Sequence, residues 1–161
     1  MSFRLYVMRH GDALMKAPSD SLRPLSERGH KQSIEAAEYL KEQIGAHLAI
    51  GAVLVSPYLR AQETANNVIK HLDYTGSVIT CDKITPNDSP DNVINVVAGF
   101  EPSKVVLMVS HQPLVSALIG RLASGNYYDS VAMGTASITC VDMPVVGIGQ
   151  ADIVWTRHCS I

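Results

Sequence analysis

Three short segments carry side chains that could do chemistry together: Arg9-His10-Gly11-Asp12, Ser56-Pro57-Tyr58-Leu59-Arg60 and Ser110-His111-Gln112-Pro113. Each follows directly on a run of apolar residues. Arginine presents a planar fork of donors that matches the oxygens of a phosphoryl group, and two arginines can hold such a group from different sides. Imidazole adds a nucleophile, a base or a further donor. Asp12 is the one acid in these segments. If the three segments meet, they form a strongly cationic pocket suited to an anion with several oxygens. Gly11, lacking a Cβ, lets the backbone approach closely, and a helix opening at Gln112-Pro113 would turn its positive end toward the same place. Each residue taken singly has a plainer reading. His10 could satisfy a buried hydrogen bond, Arg60 could be a solvated charge on a first helical turn, and His111 could be a helix-entry residue. Jointly, three apolar runs that each hand over to a cation or an imidazole favour a phosphate site.

The elements that would position these residues alternate. Leu5–Met8, Ala52–Val55 and Val105–Val109 are continuous apolar runs, the pattern of strands buried on both faces of a parallel sheet. Ligands of open α/β sheets bind just outside the carboxyl ends of such strands, where the three segments lie. Between the runs, Ile34, Ala37, Leu40 or Lys41 and Ile44 follow helical spacing, as do Tyr58, Ala61, Ala65, Val68 and Leu72. Ser89-Pro90 reads as an N-cap followed by a proline at the first helical position, opening a helix through Val93, Ile94 and Val97. Gln112-Pro113 begins another, through Leu114, Val115, Leu118, Ile119 and Leu122, with Gly125 where a C-terminal cap is expected. Ser77–Cys81 is a weaker strand, and 136–141 and 153–155 predict a terminal hairpin. The alternation followed by two strands predicts an α/β sandwich with a mixed sheet.

Other chemistries find no support in the sequence. There is no GxxxxGK[ST] loop, no GxSxG elbow, and Gly147-Ile148-Gly149 lacks the rest of a dinucleotide fingerprint. The two arginines would repel a divalent cation beside His10, Asp12 and His111, and no helical His spacing suits zinc, so no metal or other cofactor is expected. His30, His47, His71 and His158 read as surface histidines. The 161 residues amount to about one domain, since domains run roughly 150 residues, so residues 1–161 are expected to form one unit. A net charge of −2 argues against a nucleic-acid or acidic-membrane footprint. Cys81, Cys140 and Cys159, odd in number and far apart, fit a reducing compartment. The opening residues lack the pattern of a signal peptide, and the longest apolar stretch, Ile44 to Val55, is too short to span a bilayer. A soluble, cytoplasmic protein is expected.

Arg9-His10-Gly11 after a first strand, Ser56-Pro57 with Arg60-Ala61-Gln62-Glu63-Thr64, and Ser110-His111 after a later strand resemble the histidine phosphatase (phosphoglycerate-mutase-like) superfamily. Arg23-Pro24-Leu25-Ser26-Glu27-Arg28-Gly29 extends the likeness. The short chain and the phrases Arg-His-Gly-Asp, Ser-Pro-Tyr-Leu-Arg and Ser-His-Gln-Pro-Leu-Val are similar to the SixA-type phosphohistidine phosphatases. The resemblance implies a three-layer α/β/α fold with a six-stranded mixed sheet ordered 3-2-4-1-5-6. It implies that His10 is the nucleophile, that Arg9, Arg60 and His111 bind the phosphoryl oxygens, and that Arg23 reaches the pocket. It further implies a phosphohistidine-bearing phosphotransfer protein as partner and substrate.

One departure bears on the substrate. Many members carry a general-acid glutamate on an inserted segment, whereas Asp82, Asp88, Asp91 and Glu101 show no matching motif here. Asp12 could substitute, but beside cations its carboxyl is expected to be ionised. Without a proton donor, ordinary phosphomonoesters are penalised more than phosphohistidine, whose protonated imidazole leaves readily. The rival readings are a small-molecule phosphomonoesterase of the same superfamily and a non-catalytic phosphate-recognition module.

Overall fold

The computed structural model describes residues 2–45, 49–126 and 131–161. Six strands, β1 (Phe3–Arg9), β2 (Ala52–Val55), β3 (Val78–Thr80), β4 (Val105–Ser110), β5 (Ile138–Met143) and β6 (Asp152–Arg157), form one sheet in the order β3-β2-β4-β1-β5-β6. β3, β2, β4 and β1 run parallel, and β5 and β6 pair antiparallel. The expected order 3-2-4-1-5-6 is the one found. The helices are α1 (Glu27–Ile44), α2 (Leu59–His71), α3 (Pro90–Ala98) and α4 (Leu114–Ala123).

Continuous apolar runs make buried strands because alternate residues serve opposite faces. Leu5 and Val7 of β1, with Leu54, Val106 and Met108, pack in one core with α3 and α4 residues such as Val93, Val97, Leu118 and Ile119. Tyr6 and Met8, with Val53, Val55, Leu107 and Val109, pack in a second core with Ala36, Ala37 and Leu40 of α1 and Ala61, Ala65 and Val68 of α2. Two helices on each face give the three-layer α/β/α arrangement. No helix among the described residues is long and apolar enough to cross a membrane.

Several local expectations shift. The buried face of α1 is Gly29, Gln32, Ser33, Ala36, Ala37 and Leu40, while Ile34 is half-buried and Lys41 exposed. The reason is close approach. A Cβ on Gly29 would overlap the Asp12 carbonyl, and one on Gly11 would lie 2.6 Å from the Gly29 carbonyl oxygen. The first turn of α1 therefore presses directly on the segment that follows β1. Ser89 stands at the N-cap position of α3, but its hydroxyl makes no capping bond. α4 begins at Leu114, and the Gln112 side chain accepts the Ser116 N–H at 3.1 Å. Gly125, at φ +77°, follows the last turn of that helix as a C-terminal stop. β3 is an exposed edge strand, which explains its weak sequence pattern.

Candidate phosphoryl-transfer site

The parallel strands end level. Arg9, the last residue of β1, pairs with Ser110, the last of β4, and Val55 of β2 pairs with Val109. The ladder then continues one bond further on each side: His10 N–H donates to the Ser110 carbonyl at 3.0 Å and Ser56 N–H to that of Val109 at 3.1 Å. The residues that follow three separate strands are thus tied to one another by backbone. Thr64 of α2 adds a cross-tie, accepting the Gly11 N–H at 3.1 Å and donating to the Arg60 carbonyl at 2.7 Å. His10, Arg60 and His111 are all buried, the last almost completely.

The polarity of the bonds at His10 follows from its partners. Its Nδ1 lies 2.6 Å from the Gly11 carbonyl oxygen, which can only accept, so Nδ1 carries the ring proton. Arg60 Nε–H donates to His10 Nε2 at 3.2 Å, so Nε2 carries the lone pair. Burial first, then the charges of Arg60, Arg9 and Arg23, push the His10 pKa down to about 4, against the opposing pull of the Gly11 bond. At neutral pH this is an uncharged imidazole with its nucleophilic nitrogen against a guanidinium.

His111 faces it, with ring centroids 5.1 Å apart. Its Nε2 lies 2.7 Å from the buried Ser56 hydroxyl, which also accepts the Tyr58 N–H at 3.3 Å. Ser56 Oγ can donate its own proton to His111 Nε2 while accepting from Tyr58, which is one of the two tautomeric arrangements open to this pair. In that arrangement Nδ1 of His111 bears the ring hydrogen; Nδ1 is buried without a protein partner. Burial, His10 and Arg60 hold the His111 pKa down at about 3. Tyr58 packs edge-on against His111 at 4.9 Å and carries the Arg60 guanidinium 5.0 Å above its ring.

Arg9 is half-buried. Its Nη1 donates to the Met133 carbonyl at 3.1 Å, and its Nε is a second buried donor without a protein partner. Burial and the nearby Arg60 charge lower its pKa. Orphaned buried donors are rare and costly in folded proteins. Arg9 Nε is such a donor, and His111 Nδ1 is a second when it carries the ring hydrogen; an oxyanion would satisfy both.

Arg23 contacts neither histidine. Its Nε donates to the Leu14 carbonyl at 2.8 Å and its Nη1 to Asp20 Oδ1 at 3.1 Å. Asp20, on a single 3₁₀ turn (Asp20–Leu22), is the residue that sequence reasoning missed. Arg60 Nη1 donates to its carbonyl oxygen at 2.7 Å and Nη2 to its Oδ2 at 3.2 Å. Arg23 first, and then Arg60, hold the Asp20 carboxyl below its usual range. Asp12 turns elsewhere: its Oδ2 accepts the Ser26 hydroxyl at 2.6 Å at the start of α1. Asp88 bonds Thr85 and Asp91 pairs with Arg121, so neither serves this site.

Among the described residues no group of three or more His, Cys, Asp or Glu side chains could hold a metal ion. His30, His71 and His158 contact Asn67, the Asn67 carbonyl and Ser137 respectively; His71 and His158 are exposed, His30 is half-buried, and His47 lies outside the described residues. A recess of about 540 Å³ lies beyond the far ends of α1 and α2, lined by Ile44, Leu72 and Tyr74 among others, and includes none of the site residues.

Comparison with known proteins agrees with this geometry. Residues 5–84 match the model of the histidine phosphatase superfamily (branch 1). The phosphohistidine phosphatase SixA of Escherichia coli K12 is 36% identical over 128 residues, covering 76% of this chain and 75% of that protein. The chain belongs to the histidine phosphatase superfamily. A solved structure of the protein histidine phosphatase SixA complexed with tungstate superposes with a TM-score of 0.87 at 32% identity, covering 96% of each chain. A phosphoglycerate mutase from Plasmodium falciparum, at 15% identity, shares the fold with a TM-score of 0.72, covering 96% of this chain and 89% of that one. The fold is therefore that of the phosphoglycerate-mutase-like members of the superfamily, built on the mixed six-stranded sheet described above.

Proposed function

We propose that this chain is a metal-independent protein phosphohistidine phosphatase that works through a phosphorylated His10. The observation that carries the reading is the opposed pair of bonds on His10, Nδ1–H to the Gly11 carbonyl and Arg60 Nε–H to Nε2. It leaves the imidazole neutral, in one tautomer, with its lone pair where a phosphoryl group bound to Arg60 would sit. Nε2 attacks phosphorus in line with the departing group, which divides one difficult displacement into two. Arg60, Arg9 and His111 Nδ1–H hold the equatorial oxygens, and such fixed donors are most of what a protein contributes to phosphoryl transfer. A water molecule then attacks phosphorus and His10 leaves. The guanidinium groups supply the positive charge that a metal would otherwise bring.

The substrate class rests on the SixA relatives and on the chemistry of the pocket. Arg60 and Arg23 both pair with one carboxylate, Asp20, which they hold ionised, so that it has no proton to give an alkoxide. A protonated phosphoimidazole needs none. A phosphohistidine-bearing phosphotransfer protein is the partner this favours. The test compares the chain's turnover of such a protein with that of simple phosphate esters, with and without a chelator. Higher kcat/KM on the phosphohistidine protein, unaffected by chelation, is expected; preference for an ester would replace the reading with that of a phosphomonoesterase.

A further inference from the structure

Among the described residues Asp20 is the one carboxylate in contact with Arg60, and Arg60 is the side chain in contact with the His10 lone pair. The guanidinium therefore spans the pocket. Its Nε end touches a residue 7% exposed, and its Nη2 end touches a side chain 57% exposed. That direction, from buried nucleophile to solvent, is also the direction in which a protein-borne leaving group must lie. A recess of about 290 Å³ lined by Met15, Ala17, Ser19, Asp20 and Arg23 opens beside the carboxylate. Asp20 is held twice, Oδ1 by Arg23 and Oδ2 by Arg60. When phosphoryl oxygens take over the Arg60 Nη2 donor, Oδ2 is released while Arg23 keeps Oδ1 in place.

We propose that Asp20 selects a phosphoimidazole over a phosphate ester, its freed oxygen accepting the ring N–H of the leaving imidazole at the pocket mouth. The inference rests on the functional reading above and deepens it. The step balances without proton transfer. The His10 Nε2 lone pair forms the new N–P bond, and the electron pair of the old P–N bond returns to the substrate ring. The substrate's other ring nitrogen keeps the proton shared with Asp20, so the phosphoimidazolium departs as neutral imidazole. His10, its Nδ1–H still on the Gly11 carbonyl, becomes the phosphoimidazolium. Asp20 thus does for the leaving ring what Gly11 does for the attacking one. For an ester the same carboxylate works in reverse. It offers no proton, and its charge opposes the negative charge growing on the leaving oxygen. Discrimination of this kind combines an attraction for one ligand with a repulsion against the other.

The experiment compares Asp20→Asn with the unaltered chain on a phosphohistidine-bearing protein and on 4-nitrophenyl phosphate, across pH. A hydrogen bond to a charged group carries roughly 10- to 100-fold in rate, so kcat/KM on the phosphohistidine protein should fall by that order while that on the ester rises. The alkaline limb of the kcat profile for the phosphohistidine protein, where the bound substrate ring loses its proton, should move to lower pH. Asp20→Glu should restore part of the loss and return the limb. Parallel loss on both substrates, or an unmoved alkaline limb, would overturn the assignment and reduce Asp20 to a brace for Arg60. Failure of the unaltered chain to act on phosphohistidine at all would instead bring down the functional reading, and the inference with it.

Discussion

The floor of the site and its rim are held by different physics. The floor residues His10, His111 and Arg60 are buried, set at strand ends or on the first turn of a helix, and tied by backbone and hydroxyl bonds that solvent does not reach. Burial is the leading cause of both depressed histidine pKa values. At the rim, Asp20 and Arg23 sit on an irregular segment, exposed or half-exposed, and are placed by ion pairs with each other and with Arg60. Exposed ion pairs are weak, screened by salt and readily exchanged. The difference teaches a division of labour: desolvation fixes the protonation states that the chemistry needs, while exchangeable charge at the mouth can give way to an incoming phosphoryl group. Arg60 belongs to both regions, with one edge on each.

That contrast can be sharpened by substitution, beginning on the floor. His10→Ala should lower turnover about 10³-fold or more, as removal of a nucleophile does, while inorganic phosphate still binds. Steady-state kinetics and phosphate inhibition together check this. Retained turnover would move the chemistry elsewhere. Arg60→Ala should cost about 10²- to 10³-fold in kcat, the usual loss of a transition-state donor. It should also weaken vanadate inhibition and leave Asp20 with Arg23 alone. Undiminished inhibition by vanadate would take Arg60 out of the pocket.

Proton titration gives a third, smaller contrast. The floor histidines have folded pKa values of about 4 and about 3, below the ordinary 6.5. As pH falls below 6.5, the unfolded chain takes up protons that the folded chain refuses. The stability present above pH 6.5 is therefore lost progressively as pH drops toward 4 and 3. Thermal melts between pH 7 and pH 4 should show this decline, and it should be smaller in His111→Gln. Equal declines would mean that burial does not hold His111 neutral.

The floor was largely legible in the sequence and the rim was not. Val105–Val109 and its fellow strands announce themselves because burial on both faces leaves no polar position, and in a chain with only 17% charged residues the cations that follow them stand out. Their convergence then follows from parallel strands with level ends. Arg9, Arg60, His10 and His111 lie at the same end of the sheet; Arg23 lies one side chain further out, joined to Arg60 through Asp20. Asp20 has no periodic neighbour to mark it, and its importance arises from a contact with a residue forty positions away. Ser56 stood in a recognised motif, yet its contacts with the His111 ring and the Tyr58 N–H are made only by the turn into α2. The face of α1 is met at Ala37 and Leu40 but not at Ile34: hydropathy favours Ile34, whereas close approach to the Gly11-Asp12 backbone requires Gly29 and turns Gln32 and Ser33 inward.

The central claim is that His10 Nε2 accepts the phosphoryl group. Rapid quench into alkali, followed by mass spectrometry of the intact chain and nitrogen-15 NMR of labelled histidine, tests it directly. The account predicts phosphate on His10, bonded through Nε2, appearing within the first turnover and absent from His10→Ala. A full first turnover with no phosphorylated histidine, or with the label on His111, would contradict it.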